Sequence, residues 1–214
     1  PVRADMEEGA ALAGPAWILN VVVDSHRQAH DRGQYGIVGA VAGDPIAAHR
    51  AGCQMVAERG IVPIDRRAGI VLVSAGGAPK DVNLYQAQKA LDNAAYGVQD
   101  GGVVILVAEC PEGMGNGTFE SWMAGGASPD ELLARIQEEF VLGGHKAAAV
   151  AAVLKRAAVY LVSALPADLV RRCGMVPFAE VDAALEAATA EVGAGTSILV
   201  LPQGGSVLPL CRAG

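Results

Sequence analysis

The chain of 214 residues is poor in aromatic side chains, at 4%, and in charge, at 18%. With alanine, valine and glycine abundant, its core must be built from small and β-branched side chains. A net charge of −7 leaves no basic patch to displace counterions from nucleic acid, and no basic–aromatic stripe appears. The four cysteines, Cys53, Cys110, Cys173 and Cys211, form no C-x-x-C pair, which argues against a zinc knuckle or a dithiol motif. They read as buried free thiols suited to a reducing cytoplasm. No apolar run approaches the ~20 residues of a membrane-spanning helix. The start, Pro1-Val-Arg-Ala-Asp-Met-Glu-Glu8, has neither the basic beginning nor the hydrophobic segment of a signal peptide. Phosphate and nucleophile motifs are missing too. Gly113-x-Gly-x-Gly117 lacks the spacing of the dinucleotide fingerprint, there is no G-K-[ST], and no G-x-S-x-G elbow presents a serine.

What is present is 52% hydrophobic, the composition of an ordered globular protein. Residues 17–24 and 36–43 read as strands, with a polar, charged stretch from Ser25 to Tyr35 between them. A helix is expected over Asp5 to Leu12, its packing partner upstream. Asp44-Pro45 then opens another, with aspartate as cap and proline in the first turn, running to about Arg59. Val62 to Arg67 reads as a linker, dividing residues 1–65 from residues 66–214. Beyond it, strands at 69–74, 102–109, 158–164 and 196–201 alternate with helices at 83–98, 129–140, 145–157 and 177–192. Continuous apolar strands separated by helices predict a three-layer, Rossmann-like α/β domain with a mainly parallel sheet, preceded by a small α+β segment.

The block Ser74-Ala-Gly-Gly-Ala-Pro-Lys-Asp-Val-Asn-Leu-Tyr-Gln-Ala-Gln-Lys-Ala-Leu-Asp-Asn93 carries the candidate site. It leaves a strand, turns on Gly76 and Gly77, and enters a helix at the sheet edge where ligands of α/β proteins collect. The helix start is expected to offer free N–H groups to an anion. Tyr85 and Lys89 are spaced i,i+4, and Gln86 lies i,i+3 from Lys89. Leu84, Ala87, Leu91 and Ala94 mark the opposite, buried side. Phenol, amide and ammonium together can grip a carboxylate. The Gly76-Gly77 turn is expected to let the backbone approach the substrate, and Lys80, in the same turn, is a further candidate.

Glycine pairs recur after the strands, at Gly113 to Gly117 and at Gly204-Gly205, and again at Gly143-Gly144 before His145-Lys146. Their shared position suggests a cleft. His145, at a helix start beside the Lys146 cation, is a candidate acid/base group, the alternative being a polar helix cap, and His145 and Lys146 are both further candidates for binding the substrate. His26 and His30, spaced i,i+4, read as part of a solvated insertion rather than as metal ligands, and no metal site is expected in this chain. His49 reads as structural.

At this point a family likeness emerges. The start Pro1-Val-Arg-x-Asp-Met-Glu-Glu, the run Trp17 to Val22, Ala42-Gly-Asp-Pro-x-x-Ala-His-Arg50 and the block 74–93 resemble the nickel-dependent lactate racemase family over nearly the whole chain. The resemblance implies the end of an N-terminal, cofactor-side domain at 1–65 and a C-terminal substrate-binding domain at 66–214. It further implies a nickel-pincer nucleotide, tethered to a lysine, that takes a hydride from C2 of a 2-hydroxy acid and returns it to either face. The tethering lysine, the nickel-ligating histidine and a catalytic histidine pair would lie upstream of Pro1, in a missing domain that is the chain's expected partner. Tyr85, Gln86 and Lys89 match the substrate-holding cluster of that family. Two readings from other classes stay open: a module that binds a small anion without chemistry, and a scaffold whose polar helix face is merely solvated.

Overall fold

The computed structural model describes residues 2–14, 16–24 and 36–212. The chain divides into two compact units, Pro1–Ile61 and Val62–Gly214. His26 and His30 lie outside the described residues.

In the first unit, helix α1 (Val2–Leu12) precedes strands β1 (Ile18–Asp24) and β2 (Gly36–Gly43), which pair antiparallel from Ile18↔Gly43 to Asp24↔Gly36. Helix α2 (Pro45–Gly60) packs on both strands. Asp44 caps it as expected, its Oδ1 accepting from Ala47 N at 2.9 Å, and Pro45 occupies the first turn. Of the apolar positions on α2 only Ala48 is buried; Cys53 is half-buried and Val56 exposed. Trp17, Leu19, Val21 and Val23 are exposed as well.

The second unit begins with β3 (Ile61–Ile64), then β4 (Ala68–Ser74), α3 (Leu84–Ala94) and β5 (Val98–Val107). Helices α4 (Gly117–Ala124), α5 (Pro129–Glu138) and α6 (Gly144–Leu154) lead to β6 (Ala158–Val162). Then come α7 (Ala167–Arg172), β7 (Val176–Phe178), α8 (Val181–Val192), β8 (Ile198–Leu201) and β9 (Leu208–Cys211). Five strands form one sheet in the order β7-β6-β5-β4-β8, every pair parallel. The segment read as a linker holds a strand instead: β3 pairs with β9. A two-stranded ladder tolerates Pro63, because one edge of each strand needs no donor.

Strand side chains alternate between two apolar layers, as a sheet covered on both faces requires. Val71, Val73, Val104, Leu106, Val159 and Leu161 share one core with α3, α4 and α6. Ile70, Val103, Ile105, Tyr160 and Val162 form the other with Ala184 and Ala188 of α8. The second unit is thus a three-layer α/β fold. No helix among the described residues is long and apolar enough to cross a membrane. Cys110 and Cys173 are buried, whereas Cys211 is exposed, contrary to the expectation of burial, because it ends the short β9.

The connections place the site. From β4 the chain moves through α3 to β5 and onward to β7, then returns beneath the sheet through α8 to β8 on the far side of β4. Strand order therefore reverses between β4 and β8, and at such a switch point the loops leaving the two strands part to open a crevice.

Candidate functional site

That crevice is a cleft of about 290 Å³ lined by Ala75, Pro79, Lys80, Gln86, Ala87, Lys89, Ala90 and Gly205. Two cations and an amide enter it, and no carboxylate is among its lining residues. Lys89, exposed, donates to Gln86 Oε1 at 2.7 Å. Lys80 Nζ donates to Ser206 Oγ at 3.3 Å, so the loop after β8 meets the loop after β4. Asn93 Nδ2 donates to Gly204 O at 2.7 Å and pins that second loop to α3. Gly76 and Gly77 turn the chain with φ of +99° and +73°, and the Gly76 N–H is taken by Ser74 Oγ at 3.0 Å. The cleft wall comes from Ala75 and Pro79, on either side of the glycine pair.

Two expectations are corrected. The start of α3 does not offer free N–H groups. Leu84 N and Tyr85 N donate to Gly113 O and Met114 O at 3.0 and 3.2 Å, and Gln86 N donates to Asn83 Oδ1 at 3.0 Å. The glycine-rich turn after β5 folds over the helix end and supplies the missing acceptors, so the anion must be met by side chains. Nor do Tyr85, Gln86 and Lys89 share one pocket. At about 100° per residue, Gln86 stands about 100° round the helix from Tyr85, with Lys89 between them. Gln86 and Lys89 reach the cleft. Tyr85 turns toward α4 and α6, where its ring meets Phe119 edge-on at 5.7 Å and 78°.

Tyr85 belongs to a second polar face of α3 that the sequence pattern did not separate from the first. Gln88 is only 2% exposed, and its Oε1 accepts from Lys146 Nζ at 3.0 Å. Its Nε2 has no hydrogen-bond partner of full geometry, although it faces Asp92 one turn on. Burial pushes the Asp92 carboxyl above its ordinary value, against the pull of Gln88 and Lys146. Lys146 Nζ also lies 4.6 Å from the centre of the Tyr85 ring. Burial, and then repulsion from Lys89, lower the Lys146 ammonium below its usual value, with Asp92 opposing. Gln88 and Asp92 were readable as i,i+4 neighbours on a polar flank, but the burial of Gln88 and the half-burial of Asp92 were not.

His145 lies outside the cleft. Its Nδ1 accepts from Gly143 N at 3.2 Å and its ring stacks on Phe140, 5.5 Å between centres. The helix N-cap itself is Gly143, with no side-chain cap hydrogen bond. The Gly143-Gly144 pair serves packing: a β-carbon on Gly144 would stand 2.8 Å from the Trp122 ring. His49 sits on α2, 3.6 Å from Cys53 Sγ. No group of three or more His, Cys, Asp or Glu among the described residues is arranged to hold a metal ion.

Comparison with known proteins identifies the family and the fold. A family profile described as "Lactate racemase C-terminal domain" matches residues 64–209. The lactate racemase of Thermoanaerobacterium thermosaccharolyticum is 33% identical over 213 residues, covering 97% of this chain and 48% of that protein. The lactate racemase of Lactiplantibacillus plantarum is 32% identical over the same shares. The chain therefore spans about half the length of the curated relatives it matches. The apoprotein structure of the Thermoanaerobacterium enzyme superposes with a TM-score of 0.86 at 33% identity, over 96% of this chain and 48% of that one. A crystal structure of a protein from Thermotoga maritima shares the fold, with a TM-score of 0.62 at 15% identity, over 92% of this chain and 49% of the other. By these matches, and above all by the profile over residues 64–209, the chain belongs to the lactate racemase C-terminal domain family.

Proposed function

We propose that this chain is the substrate-holding part of a racemase or epimerase acting on a small 2-hydroxy acid, and that its β4–β8 cleft grips the carboxylate. The observation that carries the reading is the pairing of Lys80 and Lys89 around one cleft with no carboxylate among its lining residues. The Lys89 ammonium pairs with the acid, while Gln86 holds that ammonium from the side and turns its own amide N–H groups toward the same oxygens. Lys80 approaches from the opposite wall. A charge-assisted hydrogen bond of this kind contributes about 1.5–3 kcal/mol, enough to orient a molecule as small as lactate, the acid in the relatives' names. Tyr85 stands outside this cleft, on the neighbouring face of α3 against Phe119 and Lys146.

The nickel-pincer nucleotide implied by the family likeness finds no ligand set among the described residues. We assign it to the half of the relatives' length that this chain does not span, the proposed partner of the cleft. This chain contributes binding, orientation and closure against water. By itself it should bind the acid and leave its configuration unchanged; conversion of L- to D-lactate by the isolated chain would contradict that division of labour. In a protein carrying both halves, Lys89→Ala should lower kcat/KM at least about tenfold, ~1.4 kcal/mol of lost transition-state stabilisation. Unchanged kinetics would remove Lys89 from the site.

A further inference from the structure

Lys146 sits in the first turn of α6, half-buried, and is not among the residues lining the cleft. Its ammonium is nonetheless placed with care. It donates to Gln88 Oε1 at 3.0 Å and stands 4.6 Å over the face of Tyr85, whose ring packs edge-on against Phe119. The Tyr85 ring is therefore held by a cation on its face and by an aromatic ring at 78° to it. Gln88, almost wholly buried, has no hydrogen-bond donor to its carbonyl other than Lys146 among the described residues. Lys146 appears in no ion pair among the described residues.

We propose that Lys146 is a positioning residue for the substrate cleft: it fixes the Tyr85 ring and the Gln88 amide, and through them the register of the Gln86–Lys89 turn of α3. A hydrophobic residue would fill this space without the cost of desolvating an ammonium. What an ammonium adds is direction, since a cation over a ring face favours one ring orientation. The electrostatics are consistent with that closeness. After burial, repulsion from Lys89 is the next influence on the Lys146 ammonium, so an anion arriving at Lys89 would offset part of that repulsion.

The inference rests on the proposed carboxylate cleft, and the test separates the two. In this chain the aromatic carbon–proton signals of Tyr85, assigned by their loss in Tyr85→Phe, are followed with the Lys89 ε-methylene signals during a titration with sodium L-lactate. Lys146→Met, which keeps the stem and removes the charge, should move the Tyr85 signals and weaken lactate binding about fivefold, the fold-change of ~1 kcal/mol. Lys146→Arg should restore both. If Lys146→Met does not fold, Lys146→Gln, which keeps a donor for Gln88, takes its place. Tyr85 signals unmoved by loss of the charge, or lactate affinity unchanged while they move, would overturn the positioning role alone. An unmodified chain whose Lys89 signals ignore lactate would overturn the cleft reading, and this role with it.

Discussion

Gly115 approaches Asn83 so closely that a β-carbon on the glycine would stand 2.2 Å from Asn83 Cγ. Asn83 caps α3 through Gln86 N, and the 113–114 carbonyls accept the two N–H groups before it. One loop and one side chain thus close the helix that carries the candidate site. Gly115 has φ of +79°, so Gly115→Ala meets both strain and collision. It should destabilise by at least about 1 kcal/mol, read as a lower denaturant midpoint with an unchanged slope.

Asn83→Ala removes the cap without crowding. The expected loss is about 1 kcal/mol, most of it recovered in Asn83→Asp, because both side chains accept from a helix N–H. Equal loss in the two variants would show that the buried amide matters here for packing rather than for capping.

Much of this helix was legible in the sequence. The apolar spacing of Leu84, Ala87, Leu91 and Ala94 gives the buried face, and all four are buried. The parallel sheet followed from apolar runs of the right length at β4, β5 and β6. What sequence could not show is how remote segments meet. Gly113 and Met114 meet the start of a helix that precedes them in sequence only once the turn folds back, and Lys146 reaches Tyr85 with β5, α4 and α5 between them in the chain. Spacing alone placed Tyr85 beside Lys89, yet only the packing of α4 and α6 decides which side of Lys89 the cleft takes. Short elements escaped for another reason. The three residues of β7 are too few for periodicity to register, and Pro63 with the charged residues after Ile64 disguised β3 as a linker.

Asp92 offers a test of the second polar face. Burial raises its carboxyl above the ordinary value, so the folded chain holds that proton more tightly than the unfolded chain does. Its contribution is favourable below the unfolded value and is lost as pH rises through the folded one. Asp92→Asn should therefore stabilise the protein at pH 7 and flatten the change in stability between acidic and neutral pH. A destabilised variant at neutral pH would mean that the ionised carboxylate is needed against Lys146.

The thiols make an alkaline counterpart. Burial, reinforced by Asp81 and Glu109, pushes the Cys110 thiol up to about 12, and burial pushes Cys173 up to about 11. An unfolded thiol ionises lower, so stability should fall as pH climbs from the unfolded value toward those figures. At pH 8 a thiol reagent should modify exposed Cys211 promptly and Cys110 and Cys173 only with unfolding. Fast labelling of Cys110 in the native chain would contradict its burial.

Gln86 and Lys89, joined by Lys80, line the β4–β8 cleft and are proposed to recognise a carboxylate. Titrating the chain with L-lactate and, in parallel, with the uncharged lactamide tests that proposal most directly, by following the side-chain signals of Gln86 and Lys89. Lactate should move both, lactamide should not, and Lys89→Met should weaken the lactate response at Gln86 at least about tenfold, ~1.4 kcal/mol. Equal responses to acid and amide, or a lactate response at Gln86 that survives Lys89→Met intact, would contradict the account.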